Sequence, residues 1–190
     1  MTMPVEPTRG GFLRAFGCGQ FIVSFLKGEG PEGSRRINPS EGTWQQDIFF
    51  EYKQALRRDR AEDMVAREKE GRIQKGLPGY TSDEEAERLV YWMGKISTKF
   101  TWARYHSFLI YFGMLKRLGW VEPTGETETS EVQEPKVGVV NPAGQPRVYY
   151  RITDAGTAAS ESAIMNPLRV LYPEFGPEYF RAKKKAKVRP

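Results

Sequence analysis

Residues 101–118 carry the strongest single signal in the chain, an almost wholly apolar run at helical spacing that is stopped by Gly119 and followed at once by Trp120 and Val121. A glycine directly after the last apolar turn supplies the left-handed residue that ends a helix and reverses the chain. Leu115 and Leu118 then hold the helix on a core, and Trp120 and Val121 open a strand. Any fold for this chain must accommodate a helix that turns directly into a strand. With 190 residues the chain is long enough for one real core and short for two large ones.

The remaining elements follow from spacing and punctuation. Residues 1–10 read as a loose lead-in, and Phe12, Leu13, Phe16, Phe21, Ile22, Phe25 and Leu26 give a helix over residues 11–27, weakened by Gly17 and Gly19. A Gly-, Pro- and Ser-rich loop covers residues 28–42. Thr43 with Gln46 reads as a capping box, opening a helix whose anchors are Trp44, Ile48, Phe49, Tyr52 and Leu56. Beyond Leu56 the same helix becomes a mixed-charge stretch that projects into solvent or frames a partner. Leu77, Pro78 and Gly79 break the chain. Thr81 with Glu84, or Ser82 with Glu85, caps the next helix, which runs to about Ile96 with an acidic first turn suited to the helix dipole. A short polar turn leads into the apolar helix.

After Val121 comes a polar segment containing Glu122, Glu126, Glu128, Glu131 and Glu134. The strand-like runs KVGVV and RVYYRIT flank a Pro/Gly turn and read as a hairpin. A last helix is expected over residues 154–166, before a Pro-punctuated segment and a basic tail. These readings divide the chain into an N-terminal helical extension (1–80), a central domain (81–166) and a C-terminal segment (167–190).

Composition narrows the function classes. Eleven Phe, nine Tyr and four Trp are too many aromatics for a disordered chain. The single cysteine, Cys18, excludes an internal disulfide framework and cannot alone build a structural zinc site, which fits a reducing cytosol. No stretch is apolar for the roughly 20 residues that span a bilayer, and Arg14 and Gln20 interrupt any signal-peptide core. No phosphate-binding glycine loop, nucleophile elbow or zinc-protease motif appears, so an enzyme is not expected, nor any metal or cofactor. The formal charge of +5 is unevenly spread. Six cations, Arg181, Lys183, Lys184, Lys185, Lys187 and Arg189, sit in the tail, and without them 23 basic residues face 24 acidic ones. Residues 88–121 nevertheless hold six basic residues (Arg88, Lys95, Lys99, Arg104, Lys116 and Arg117) and no acidic one. Positive charge concentrates there and in the tail.

The order helix, short turn, helix, strand, turn, strand, closing helix is that of a winged helix. MLKRLGWVEP resembles the end of a recognition helix entering the first wing strand of bacterial and archaeal winged-helix transcription regulators, and RVYYRITDAGTAA resembles their second wing strand and following helix start. The resemblance covers about residues 82–160. It implies an α+β, mostly helical fold: a winged helix-turn-helix with additional N-terminal helices and a basic C-terminal tail. Tyr150 and Ile152 would face the core, and Thr153 or Asp154 would cap the closing helix. In this superfamily the second helix of the motif presents its N-terminal residues to base edges. By position these are Lys99, Thr101, Trp102, Arg104, Tyr105, His106 and Ser107. Arg104 would read guanine, and Lys99, Thr101 and Ser107 would hold phosphates. His106, the only histidine, is given no chemical role. Lys136 and Arg147 on the hairpin and Lys183, Lys184, Lys185 and Lys187 in the tail complete the expected DNA contacts.

The expected function is sequence-influenced binding of double-stranded DNA without a cofactor, as a transcriptional regulator or an accessory factor of a mobile element or virus. Two alternatives remain open: a winged helix used for protein–protein assembly, and an RNA- or ribosome-associated protein. Leu109, Ile110 and Tyr111 make the middle of the proposed recognition helix apolar around its circumference. They are expected to be buried, either under the N-terminal helices or in a homodimer.

Overall fold

The computed structural model describes residues 17–101, 103–128 and 147–175. Its order is α1 (Cys18–Leu26), β1 (Thr43–Trp44), α2 (Gln45–Gln74), α3 (Ser82–Lys95), a 3-10 turn (Thr98–Thr101), α4 (Tyr105–Arg117), β2 (Val121–Glu128), β3 (Arg147–Ile152), then α5 (Asp154–Ala158), α6 (Glu161–Met165) and α7 (Pro167–Leu171), with a second 3-10 turn at Pro173–Phe175. The class is α+β, largely helical, with one small antiparallel sheet in the order β1-β3-β2.

The core gathers Phe21, Ile22, Phe25 and Leu26 from α1, Ile48, Tyr52 and Leu56 from α2, and Phe108, Phe112 and Leu115 from α4, closed by Trp120 and Val121. Tyr150 and Ile152 of β3 pack against it, as expected from their alternation. Helix α1 begins at Cys18, later than its apolar pattern suggests, with Gly17 as N-cap; residues 11–16 lie outside the described residues. The glycine that weakens the helix signal has a packing reason. A Cβ at Gly19 would lie 2.7 Å from the Ile164 carbonyl oxygen, so glycine lets α6 rest on α1.

Helix α2 spans 30 residues, roughly 45 Å at the α-helical rise. Only its first turns enter the core. Its remainder projects, as the mixed-charge sequence implies, and forms an antiparallel hairpin with α3. Ala61 and Val65 are buried in that arm, while α3 buries no residue fully. Arg88 donates from Nε and Nη2 to the Glu68 carboxylate at 2.8 and 2.6 Å, and Lys69 pairs with Glu85. The capping box of Thr81 and Glu84 starts α3 as its sequence indicates.

Several expectations are corrected. Thr43 does not cap α2: it lies in β1, opposite Tyr150, and its buried hydroxyl accepts a 2.8 Å hydrogen bond from Arg35. Trp44 is the N-cap residue and makes no side-chain cap. The glutamate-rich segment after Val121 is a strand as far as Glu128, with Glu122 opposite Arg151 and Glu128 opposite Arg147, and Glu131 and Glu134 lie outside the described residues. The KVGVV run lies outside the described residues. The single helix expected over residues 154–166 is two short ones, because Ser160 begins a new helix by accepting from the Ala163 N–H. At the junction of α4 and β2, Gly119 has φ +68°. The Trp120 carbonyl accepts from the Thr153 N–H, and Thr153 caps α5 by accepting from the Gly156 N–H at 3.1 Å.

Candidate nucleic-acid interface

Helix α4 divides cleanly by its period. Phe108, Phe112 and Leu115 recur at four and three residues and are buried, and Met114 is buried near the end of the helix. His106, Ser107, Leu109, Ile110, Lys116 and Arg117 are exposed, and a Cβ at Gly113 would meet nothing within 4 Å. One face therefore stands open to solvent along most of the helix. Within the single chain the N-terminal helices do not cover Leu109 and Ile110, which are 36% and 48% exposed, contrary to the intramolecular version of the expectation that they are buried. Tyr111 alone packs against the core. The physical reason is angular: 108, 112 and 115 already fill the side facing α1 and α2, so 109 and 110 must point away.

Helix α4 packs on the N-terminal helices rather than on α3, its neighbour in the expected helix-turn-helix. Helix α3 packs along α2, whereas α1, α7 and β2 are principal neighbours of α4. Helix α2 reaches α4 through Phe49, whose ring lies 5.1 Å from that of Tyr105 and 5.2 Å from that of Phe108.

The expected contact residues are brought together only in part. Arg104 is the exposed N-cap residue of α4. Lys99 and Thr101 lie in the 3-10 turn just before it, not in the helix; Lys99 is exposed and Thr101 half-buried. Ser107 is exposed in the first turn. Tyr105 turns inward: its ring stacks on Phe108 with centroids 6.0 Å apart, and burial pushes its phenol above the usual tyrosine value. It supports the helix rather than facing a ligand. Trp102, Lys136, Lys183, Lys184, Lys185 and Lys187 lie outside the described residues.

Arg147 is engaged within the protein. Its guanidinium lies 4.5 Å from the centre of the Trp44 ring and 3.8 Å from Glu128. Arg151 pairs with Glu122 at 2.9 Å. Each arginine of β3 thus compensates a glutamate of β2, which reduces the repulsion those acids would exert on a polyanion. Two cations that sequence reasoning did not place in the interface stand at the far end of α4. Lys116 lies 5.0 Å from the centre of the Tyr150 ring, and Arg117 donates to the Tyr172 hydroxyl at 3.2 Å. Their signal was present in the acid-free stretch, but without the fold nothing fixed which face they share. Lys99 and Arg104 thus stand before the first turn of α4, and Lys116 and Arg117 in its last turn.

A groove of about 300 Å³ runs between α2 and α3, lined by Glu62, Val65, Ala66, Lys69, Glu85, Ala86 and Leu89. The Lys69–Glu85 pair crosses it, and Glu62 pairs with Arg58. Among the described residues, no group of three or more His, Cys, Asp or Glu is arranged to hold a metal ion, and no helix is long and apolar enough to cross a membrane. The chain matches no protein-family model, no curated protein and no solved structure.

Proposed function

We propose that this chain is a winged-helix DNA-binding protein that uses α4 as its recognition helix. In this reading α1 and the first turns of α2 are the scaffold, β2 and β3 are the wing strands, and the α2–α3 arm is an insertion between the supporting helix and the recognition helix. The observation that carries the reading is the open face of α4: an exposed helix flank with Lys99 and Arg104 before its first turn and Lys116 and Arg117 in its last, in a stretch with no acidic residue. A helix of this kind fits the major groove, which is about 12 Å wide and admits an α-helix of about 10–12 Å diameter. Lys99, Lys116 and Arg117 would contact phosphates and set the register, while Arg104 and the N-terminal turn reach base edges. Transcriptional regulation, or an accessory role for a mobile element or virus, is the setting that suits such a module.

Titrating the full chain with duplex DNA and with structured RNA at two salt concentrations tests the reading. Preferential duplex-DNA binding that weakens steeply with salt is the expected outcome, because neutralised phosphates release counterions. Equal or tighter binding to structured RNA would replace the DNA reading with an RNA one. A second reading, protein assembly, is favoured by one observation. Val90 of α3 is 73% exposed, beside exposed Tyr91, on an arm whose residues 57–95 carry nine basic and nine acidic side chains. Such a neutral apolar flank suits a protein surface better than a polyanion.

A further inference from the structure

We infer that the open face of α4 selects thymine, with Leu109 and Ile110 seated against thymine 5-methyl groups in the major groove. The inference rests on the DNA reading above and assigns the side chains that give it specificity. Arg104 is the obvious candidate for base readout by charge, but it sits at the N-cap, at one end of the helix. The centre of the exposed flank is apolar. Leu109 and Ile110 are adjacent, so they point about 100° apart and form one broad ridge. Gly113 follows four residues after the first and three after the second, which places it beside both on the next turn, with open space where a Cβ would stand. The flank is therefore a branched apolar ridge next to a gap.

The chemistry of the groove selects what can meet that ridge. Guanine, cytosine and adenine present only hydrogen-bond donors and acceptors on the major-groove floor, whereas thymine adds a methyl group. Pressing Leu or Ile onto donors and acceptors strips them of water and returns no hydrogen bond. Pressing the same side chains onto a methyl group removes apolar surface from water on both partners. The apolar ridge thus favours thymine and disfavours G·C pairs at the same positions. The charge at the two ends of the helix argues for a nucleic acid as the occupant, since Lys99 and Arg104 precede its first turn, Lys116 and Arg117 lie in its last, and residues 88–121 contain no acidic side chain.

Parallel selection of the full chain on two randomised duplex libraries, one built with thymidine and one with deoxyuridine, isolates the methyl group. The expected result is a motif with thymine at one or two fixed positions in the first library and loss of preference at those positions in the second. On the selected duplex, each thymidine-to-deoxyuridine replacement should weaken binding about fourfold, the value for burying one methyl-sized group. Ile110→Ser and Leu109→Ser should bring affinity for the thymidine duplex down to that for its deoxyuridine counterpart, with circular-dichroism melts at the wild-type midpoint. The same motif with equal strength in both libraries overturns the inference and leaves DNA binding intact. Serine variants that keep the thymidine preference overturn the assignment to these two residues. If neither library is retained at low salt, the DNA reading falls and the inference falls with it.

Discussion

The ring of Phe49 in α2 lies 5.1 Å from the ring of Tyr105 in the first turn of α4, tilted by 56°. This contact ties the start of α2 to the end of α4 that carries Arg104 and Ser107, beside the packing of α1, α7 and β2 on the same helix. Truncating a fully buried Phe costs about 3–5 kcal/mol; for the half-buried Phe49 a loss of about 2 kcal/mol is expected. Phe49→Ala should lower stability in denaturant titration by that amount and weaken DNA binding by loosening the first turn of α4. Leu89→Ala on α3 should cost less than about 1 kcal/mol and leave DNA binding at the wild-type level.

Two glycines should respond to alanine with opposite signs. A Cβ at Gly156 would overlap the Trp120 carbonyl oxygen, where the strand after α4 meets α5, and neither backbone can yield cheaply. Gly156→Ala should destabilise by about 3 kcal/mol. At Gly71, inside α2, a Cβ would meet nothing within 4 Å, so Gly71→Ala should stabilise by about 0.5–1 kcal/mol through helix propensity. Thermal melts of the two variants check both signs.

The α2–α3 arm should weaken in acid. Hydrogen bonds from Arg88 hold the Glu68 carboxyl below its ordinary value of 4.5. A carboxyl depressed in the folded state stabilises fully above its unfolded value, and that contribution is lost as pH falls through the folded one. Amides of α3 should therefore exchange faster, relative to those of α4, once pH drops below about 4.5. Glu68→Gln should remove this difference between the two helices. An arm whose relative protection is unchanged by acid would show that the ion pair contributes nothing.

Arg104 and Lys99 should separate base contacts from phosphate contacts. Arg104→Ala should relax specificity at one base pair by about 1–3 kcal/mol, the value of a bidentate guanine contact. Lys99→Ala should weaken specific and nonspecific duplexes alike, since a phosphate carries no sequence information. Profiles over a randomised duplex library distinguish the two patterns.

The sequence made the helix-to-strand junction legible because one residue type decides it: Gly119 takes a left-handed conformation that a side chain would resist. Thr153 as a cap, Tyr150 and Ile152 facing inward, and the capping box at Thr81 were readable for the same reason, since each depends on near neighbours. Long-range partnerships were not. Nothing local in Thr43 and Trp44 announces a two-residue strand paired with residues more than a hundred positions away, and threonine before a helix has the same appearance as a cap. Proximity in sequence made α3 the natural partner of α4, yet α3 lies along α2 because the arm pairs Glu68 with Arg88 and Lys69 with Glu85. Continuous apolarity in residues 108–112 concealed an exposed flank, since a helix whose other side already fills the core leaves Leu109 and Ile110 outside.

Hydrogen–deuterium exchange of the full chain, with and without duplex DNA, tests the central claim most directly. If α4 is the recognition helix, DNA should slow exchange most over residues 104–113 and leave α3 unchanged. Protection centred on α3 and the distal part of α2, with no change in α4, would contradict the account.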